Sequence, residues 1–281
     1  MVEASPVEID HCRDLVLIPG SVFEFTSRFI PAGKFEPLLA LYALRQAVAS
    51  IPYGPVDDSV KWTKLKWWSE ELIAAPDAVS RHPVLRALWR SGAREHLNDS
   101  LLLRLVGDAL SEIEMVPHGD ENDLFERQAA LGATEILLEL ALDEAEIDSQ
   151  SLKFLGAATG LFRVISKFSA RHVSEAARLP LSLLAKYNLS AEQLEQESHR
   201  AELARIVEQL AGYALDWYSK GLPGLKTDPG APAFTHLQLR WAMEGRRLNV
   251  IRRDALGFLE AGKNFGPADA WFAWRFLRKL R

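Results

Sequence analysis

Between Leu155 and Pro180 the chain reads LGAATGLFRVISKFSARHVSEAARLP, and its first turns are crowded with small residues: Gly156, Ala157, Ala158 and Gly160. Side chains this small let a neighbouring backbone come close. The segment therefore predicts a helix near the middle of a bundle, ended by a turn that delivers Leu179-Pro180. Leu155, Ala158, Leu161, Phe162, Ile165 and Phe168 recur at helical spacing and form one apolar stripe. Arg163, Lys167 and Arg171 come at intervals of four, which stacks three cations along another side of the same helix. In an ordinary bundle a basic stripe opposite an apolar one is a solvated face.

The rest of the chain repeats the helical period. No run of period-two alternation bounded by hairpin turns occurs, so no sheet is expected. A short helix, a break at Pro19-Gly20 and a second helix ending at Pro31 open the sequence. Pro37 is placed to start the next helix, LLALYALRQAVASI over 38–51, which is apolar nearly all round and so should be buried. Residues 59–75 read as an amphipathic helix with Trp62, Leu65, Leu72 and Ile73 on or near one side. Further helices are expected over 83–93, 100–115, 124–142, 181–187, 191–220, 233–259 and 268–280. The Pro/Gly-rich loop at 221–233 is the one linker candidate, and the segment after it is too short to bury a core alone. One all-α domain over 1–281 is the expectation.

With 48% hydrophobic and 25% charged residues the chain has the balance of a soluble globular protein, and no apolar run approaches the roughly 20 residues of a membrane span. The acidic N-terminus lacks the apolar segment of a secretory signal. Cys12 is the only cysteine, which excludes an internal disulfide and a multi-cysteine zinc site and suits a reducing, cytoplasmic compartment. The net charge of −5 is unevenly spread: from Lys220 onward there are 12 basic and 5 acidic residues. That basic end suggests an anionic partner surface. In AWFAWRFLRKLR, Phe272, Phe276 and Leu280 share one helix face, Arg275 and Lys279 a neighbouring one, and Trp271 and Trp274 supply rings suited to the water–lipid boundary. Such a segment either seats the protein on the inner face of a membrane, or on a membrane-protein partner, or packs on the bundle as its last helix. Nucleic acid is not expected as a partner: the whole is acidic, and the eight tryptophans read as core or groove residues.

Several motifs together resemble the squalene/phytoene synthase family. After the Gly160 helix come Leu179-Pro180, Leu184 and Leu189-Ser190, the family's Leu-Pro turn pattern. Earlier stand Gly20-Ser21 with Phe23, then Arg28-Phe29-Ile30-Pro31, Ala40-Leu41-Tyr42-Ala43-Leu44, WWSEEL, RHPVLRAL and the loop before Asp123-Leu124-Phe125. The similarity covers nearly the whole chain. It implies an all-α, single-domain bundle of the isoprenoid synthase type around a central cavity. Family enzymes join two prenyl diphosphates head to head, with Mg²⁺ held by two aspartate motifs. The resemblance carries the prenyl-pocket phenylalanine to Phe23. It carries the diphosphate-binding arginine to Gln46, with Arg45 one residue early. The first aspartate motif falls on Ala49, Ser50 and Tyr53, and the second, N-x-x-x-D-x-x-x-D, on Arg163, Lys167 and Arg171. Mg²⁺ needs oxygen ligands, and cations at its site would repel it. The resemblance thus implies the fold and the pocket without the reaction or its metal.

Three functional expectations stand side by side. One is a non-catalytic protein that binds a prenyl or phospholipid ligand, with Phe23 and the 38–51 helix lining the cavity and Arg163, Lys167 and Arg171 neutralising a phosphate directly. Another is an interaction protein on the same scaffold, as a mitochondrial relative is an assembly factor for respiratory complex I. The third is an active prenyltransferase whose carboxylates lie elsewhere. Asp57-Asp58, Asp120 and Asp123 read as surface or loop charge, and Glu195 with His199 as a local pair on one helix. No HExxH, P-loop, G-x-S-x-G or G-x-G-x-x-G occurs, and Cys12 lacks a partner base in the sequence.

Overall fold

The computed structural model describes residues 6–74, 80–114, 118–168, 179–224, 235–261 and 265–280. Among them there is no strand, and the helices run α1 Pro6–Val16, α2 Val22–Ser27, α3 Ala32–Ala49, α4 Asp58–Ile73, α5 Pro83–Arg90, α6 Ala93–His96, α7 Asp99–Ile113, α8 Glu121–Leu142, α9 Ser149–Phe168, α10 Leu181–Lys186, α11 Arg200–Gly221, α12 Thr235–Arg253, α13 Ala255–Ala261 and α14 Pro267–Leu280. Local chemistry sets many of the starts. Ser21 Oγ accepts from the Glu24 amide, Asn98 Oδ1 from Leu101 and Asp148 Oδ1 from Ser151, each satisfying a first-turn N–H. Pro83 stands at the first position of α5, where no N–H is needed.

Four expectations are corrected. Helix α3 starts a turn earlier than Pro37, on Ala32, and carries the proline inside it; the missing N–H there forgoes one helical bond to Gly33. On α4 the buried residues are Leu65, Trp68 and Leu72, whereas Trp62 and Ile73 are exposed. The stripe runs i, i+3, i+7, and Trp62 falls outside it. The segment expected as one helix over 191–220 begins with two 3₁₀ turns, Glu192–Glu195 and Glu197–His199, so Glu195 and His199 do not share a helix. The last long helix breaks at Asp254, whose Oδ1 accepts from the Gly257 amide and caps α13.

By contacts the chain separates into two compact units, Met1–Met115 with Thr134–Glu146 and Pro232–Leu237, and Val116–Ala133 with Ile147–Ala231 and Gln238–Arg281. Helices α8 and α12 contribute residues to both. The first unit is organised on α3, which packs with α1, α5 and α7 and buries Leu38 through Leu44 without interruption. That matches the all-round apolar character of the sequence. Cys12, Leu65, Leu72, Leu85, Leu88, Leu102 and Leu138 join the same core. Glu8, 4% exposed, is held by Arg86 at 2.6 Å and Arg90 at 2.7 Å, which ties α1 to α5.

The second unit is organised on α9, as the small residues predict, with α11 packed along it. At the crossing with α8 the backbones themselves touch. A Cβ on Gly132 would lie 2.0 Å from the Gly156 carbonyl oxygen, and one on Gly156 would meet Ala129 O at 2.7 Å and Ala133 N at 2.8 Å. Gly160 faces the Gln128 carbonyl at 2.8 Å in the same way, and Gly221 faces Leu155. Glycine is required here for approach rather than for an unusual dihedral angle.

Substitutions at two glycines should act in opposite directions. Gly132→Ala should cost about 3 kcal/mol or more, at or above the top of the range for overpacking, because backbone must move. Gly107→Ala on α7, where an added Cβ meets nothing within 4 Å, should stabilise by about 0.5–1 kcal/mol; urea unfolding of both variants checks the pair. Burial, helped by the nearby Glu8 carboxylate, pushes the Cys12 thiol from 9.0 up to about 12. The native thiol therefore stays protonated where the unfolded one ionises, so its contribution to stability is lost as pH rises above about 9. At pH 8 Cys12 should resist iodoacetamide in the folded protein and react in denaturant, with labelling read by mass.

Candidate functional site

The two expected site residues nearest the start of the chain come together on one tyrosine. Helix α2 places Phe23, 7% exposed, so that its ring stacks on Tyr42 of α3 at 3.8 Å between centroids, 18° from parallel. Arg45 lies one helical turn beyond Tyr42, with its guanidinium 4.5 Å from the same ring. A cation over an aromatic face is favoured, more so when desolvated. Gln46, the position to which the family's arginine is carried, is exposed and takes no part.

Around Tyr42 a buried polar network closes. Arg45 donates to Glu135 of α8, both side chains being about nine-tenths buried. Tyr42 OH donates to Glu139 Oε2 at 2.7 Å, one turn further along α8. The other oxygen of Glu139 pairs with His236 Nδ1 on α12, and His236 Nε2 pairs with Thr26 Oγ1 at 3.1 Å. Glu139 is wholly buried. A carboxylate can be held in such a place only with its charge balanced or its lone pairs bonded. Arg45 Nε and Nη1 are buried and meet no hydrogen-bond partner among the described residues. Nearby, Tyr53 OH donates to Glu112 at 2.6 Å, and Lys34 pairs at 2.7 Å with Asp143, whose carboxyl is pushed up by burial against the opposing pull of Lys34.

The second unit holds a smaller network of the same kind. Tyr218 of α11 donates to Glu244 of α12 and shares a contact of 3.2 Å with Thr159 of α9. Arg240 Nε donates to the other Glu244 oxygen at 2.7 Å. Burial and the Glu244 charge push the Tyr218 hydroxyl well above its ordinary value, so it remains a donor.

Arg163 and Lys167 sit on α9, both half-buried, and they belong to the second unit while Phe23 and Arg45 belong to the first. Arg171 lies outside the described residues. Asp58 begins α4 and pairs with Lys61 at 2.9 Å; Asp120 accepts from the Asn122 and Asp123 amides, and Asp123 from Gly119. These acidic residues are surface or capping groups, as their sequence context predicts. The second unit also bears an open cleft of about 470 Å³ lined by Phe125, Phe154 and Trp217 with Asp120 and Asn122 at its edge, and the first a cavity of about 260 Å³ beside Lys34, His96 and Asp143.

Among the described residues the donors do not suit Mg²⁺. The positions carried over from the aspartate motifs offer a methyl, a hydroxyl, a phenol already bonded to Glu112, and cations. Glu135 and Glu139 are balanced by Arg45, Tyr42 and His236. Among the described residues no group of three His, Cys, Asp or Glu side chains is placed to hold a metal ion. Sequence reasoning missed Glu135, Glu139, His236, Arg240 and Glu244. The signal was available: Glu135 and Glu139 stand four apart inside an apolar helical run, and His236, Arg240 and Glu244 stand four apart on α12. Polar residues repeating on one face of a buried helix mark an internal network.

Whole-chain comparison agrees with this architecture. A ligand-bound crystal structure of a dehydrosqualene synthase superposes with a TM-score of 0.70 at 16% identity, over 98% of this chain and 95% of that one. The squalene synthase HpnC from Alicyclobacillus acidocaldarius superposes with a TM-score of 0.58 at 19% identity, over 89% of this chain and 97% of that one. These likenesses give the fold, an all-helical single domain of the isoprenoid synthase type. No curated protein matches the chain by sequence. The profile of the family described as Squalene/phytoene synthase matches residues 20–261, and with that span, on this fold, the chain belongs to the squalene/phytoene synthase family.

Proposed function

We propose that this protein is a non-catalytic member of its family, which keeps the fold for binding and interaction and has given up ionisation of a prenyl diphosphate. The observation that carries the reading is the fate of charge around α3. The family reaction needs carboxylates turned toward a metal and an arginine turned toward diphosphate. By the resemblance Ala49, Ser50 and Tyr53 fall at the first motif, and Arg45 is engaged with Glu135 and Tyr42. The buried carboxylates of α8 are engaged by the protein itself. On this reading the chain serves as a scaffold for a protein partner, the class of role played by the mitochondrial assembly factor. Incubation with labelled farnesyl or geranylgeranyl diphosphate and Mg²⁺ should yield no head-to-head product. Product formed over multiple turnovers would overturn the reading.

A second reading, capture of a prenyl or phospholipid phosphate, is favoured by a specific observation. Arg45 retains two buried nitrogens without acceptors, beside the rings of Phe23 and Tyr42. An unmet buried donor is costly, and an anionic oxygen would satisfy it. In the second unit Arg163 and Lys167, four apart and half-buried on α9, are the cations to which the sequence assigns a phosphate. If this reading holds, Lys167→Ala weakens binding of farnesyl phosphate by about 1.5–3 kcal/mol, and EDTA leaves the affinity unchanged. Calorimetry on the two proteins, with and without EDTA, tests both parts. An affinity that collapses on chelation, or ignores the substitution, sinks it.

A further inference from the structure

Helix α14 has two faces of different character. One side is packed. Ala273 is fully buried, Asp269 accepts from Arg246 Nε of α12 at 2.6 Å, and the Arg246 guanidinium lies 5.1 Å from the Phe272 ring, which stacks on Phe276. The other side is open. Trp271 is 58% exposed and Trp274 51%, and Arg275, Arg278 and Lys279 are exposed beside them. At 3.6 residues per turn, Trp271, Trp274, Arg275 and Arg278 fall within an arc of about 100°. Arg275 lies over the Trp271 ring at 5.3 Å and Arg278 over Trp274 at 4.8 Å. Asp269 points to the packed side, and no acidic residue comes after it in the helix.

We infer that this face of α14 lies flat on an anionic lipid surface. Two tryptophans within one turn expose large apolar area that a purely water-facing helix would not carry. Indole rings favour the boundary between acyl chains and headgroups, and guanidiniums at the same level meet lipid phosphates bidentately. The charge is complementary: three exposed cations and no carboxylate line the strip, within a C-terminal stretch of net positive charge. The strip is one helix wide and made of alternating rings and cations, which fits a planar interface. No described helix is long and apolar enough to cross a membrane, so contact is peripheral. The inference is independent of whether the protein catalyses a reaction.

The test is cosedimentation of the full chain with vesicles of phosphatidylcholine containing phosphatidylglycerol, and with phosphatidylcholine alone. The wild-type protein should sediment with the anionic vesicles at low salt, be released at high salt, and ignore the neutral ones. Arg275→Gln with Arg278→Gln should weaken partitioning about 25-fold, roughly fivefold for each cation lost near the surface. Trp271→Ser with Trp274→Ser should weaken it at least tenfold. Both pairs are exposed, so the variants should keep the wild-type melting temperature, which is measured in parallel. Absence of sedimentation by the folded wild-type protein at low salt overturns the inference and leaves the face to an acidic protein surface. Binding unaffected by either double variant, or equal on neutral vesicles, overturns it as well.

Discussion

The contact of α8 with α9 through bare backbone is the constraint on which the second unit depends. Gly132 and Gly156 meet where neither can carry a methyl group, and Gly160 repeats the approach one turn further along. Helices this close lose the usual layer of interdigitating side chains and gain many weak contacts at short range. The rows of the two helices are then fixed in register, because sliding either one would drive an adjacent side chain into the partner's backbone. Three residues beyond Gly132 comes Glu135, and four further Glu139. The helix that is gripped at its glycines is the one that carries the two buried carboxylates.

Those carboxylates are expensive residents. An isolated charge in a protein interior costs several kcal/mol even after relaxation. Glu139 meets the cost by accepting from Tyr42 and His236, and Glu135 by facing Arg45. Removing one partner of such a pair typically costs more than the pair contributes, because the survivor is left buried and alone. The arrangement therefore fixes Tyr42 and Arg45 in place, and with them the ring of Phe23. In the first unit both carboxylates are engaged by the protein's own groups, Glu135 by Arg45 and Glu139 by Tyr42 and His236.

Much of this was legible in the sequence, for reasons that differ by residue. The central role of α9 came from Gly156 and Gly160, since small residues on an apolar stripe have few other uses. The burial of α3 came from its apolar composition. Family membership rested on motifs in order rather than on any one of them. Pairing could not be read. Arg45 and Glu135 are 90 residues apart, and His236 and Glu139 are 97 apart; nothing local couples them. Boundaries failed where one side chain decides, as at Asp254, which ends one helix and caps the next. Trp62 was misassigned because hydrophobicity alone does not say which of several tryptophans falls on the inward rows of α4.

For the C-terminal helix the sequence offered a choice between packing and anchoring, and the structure shows one side packed and the other exposed. Ala273 and Phe272 dock the helix while Trp271 and Trp274 stay in water. A helix held by one face is pre-ordered, so its open face can meet a surface without the entropy loss of folding there. The same docking means that deleting residues 270–281 would remove core contacts together with the open face, and a loss of thermal stability in such a deletion would not argue against an interfacial role. Packing and the inferred lipid contact fall on different faces, and only substitutions confined to one face can tell them apart.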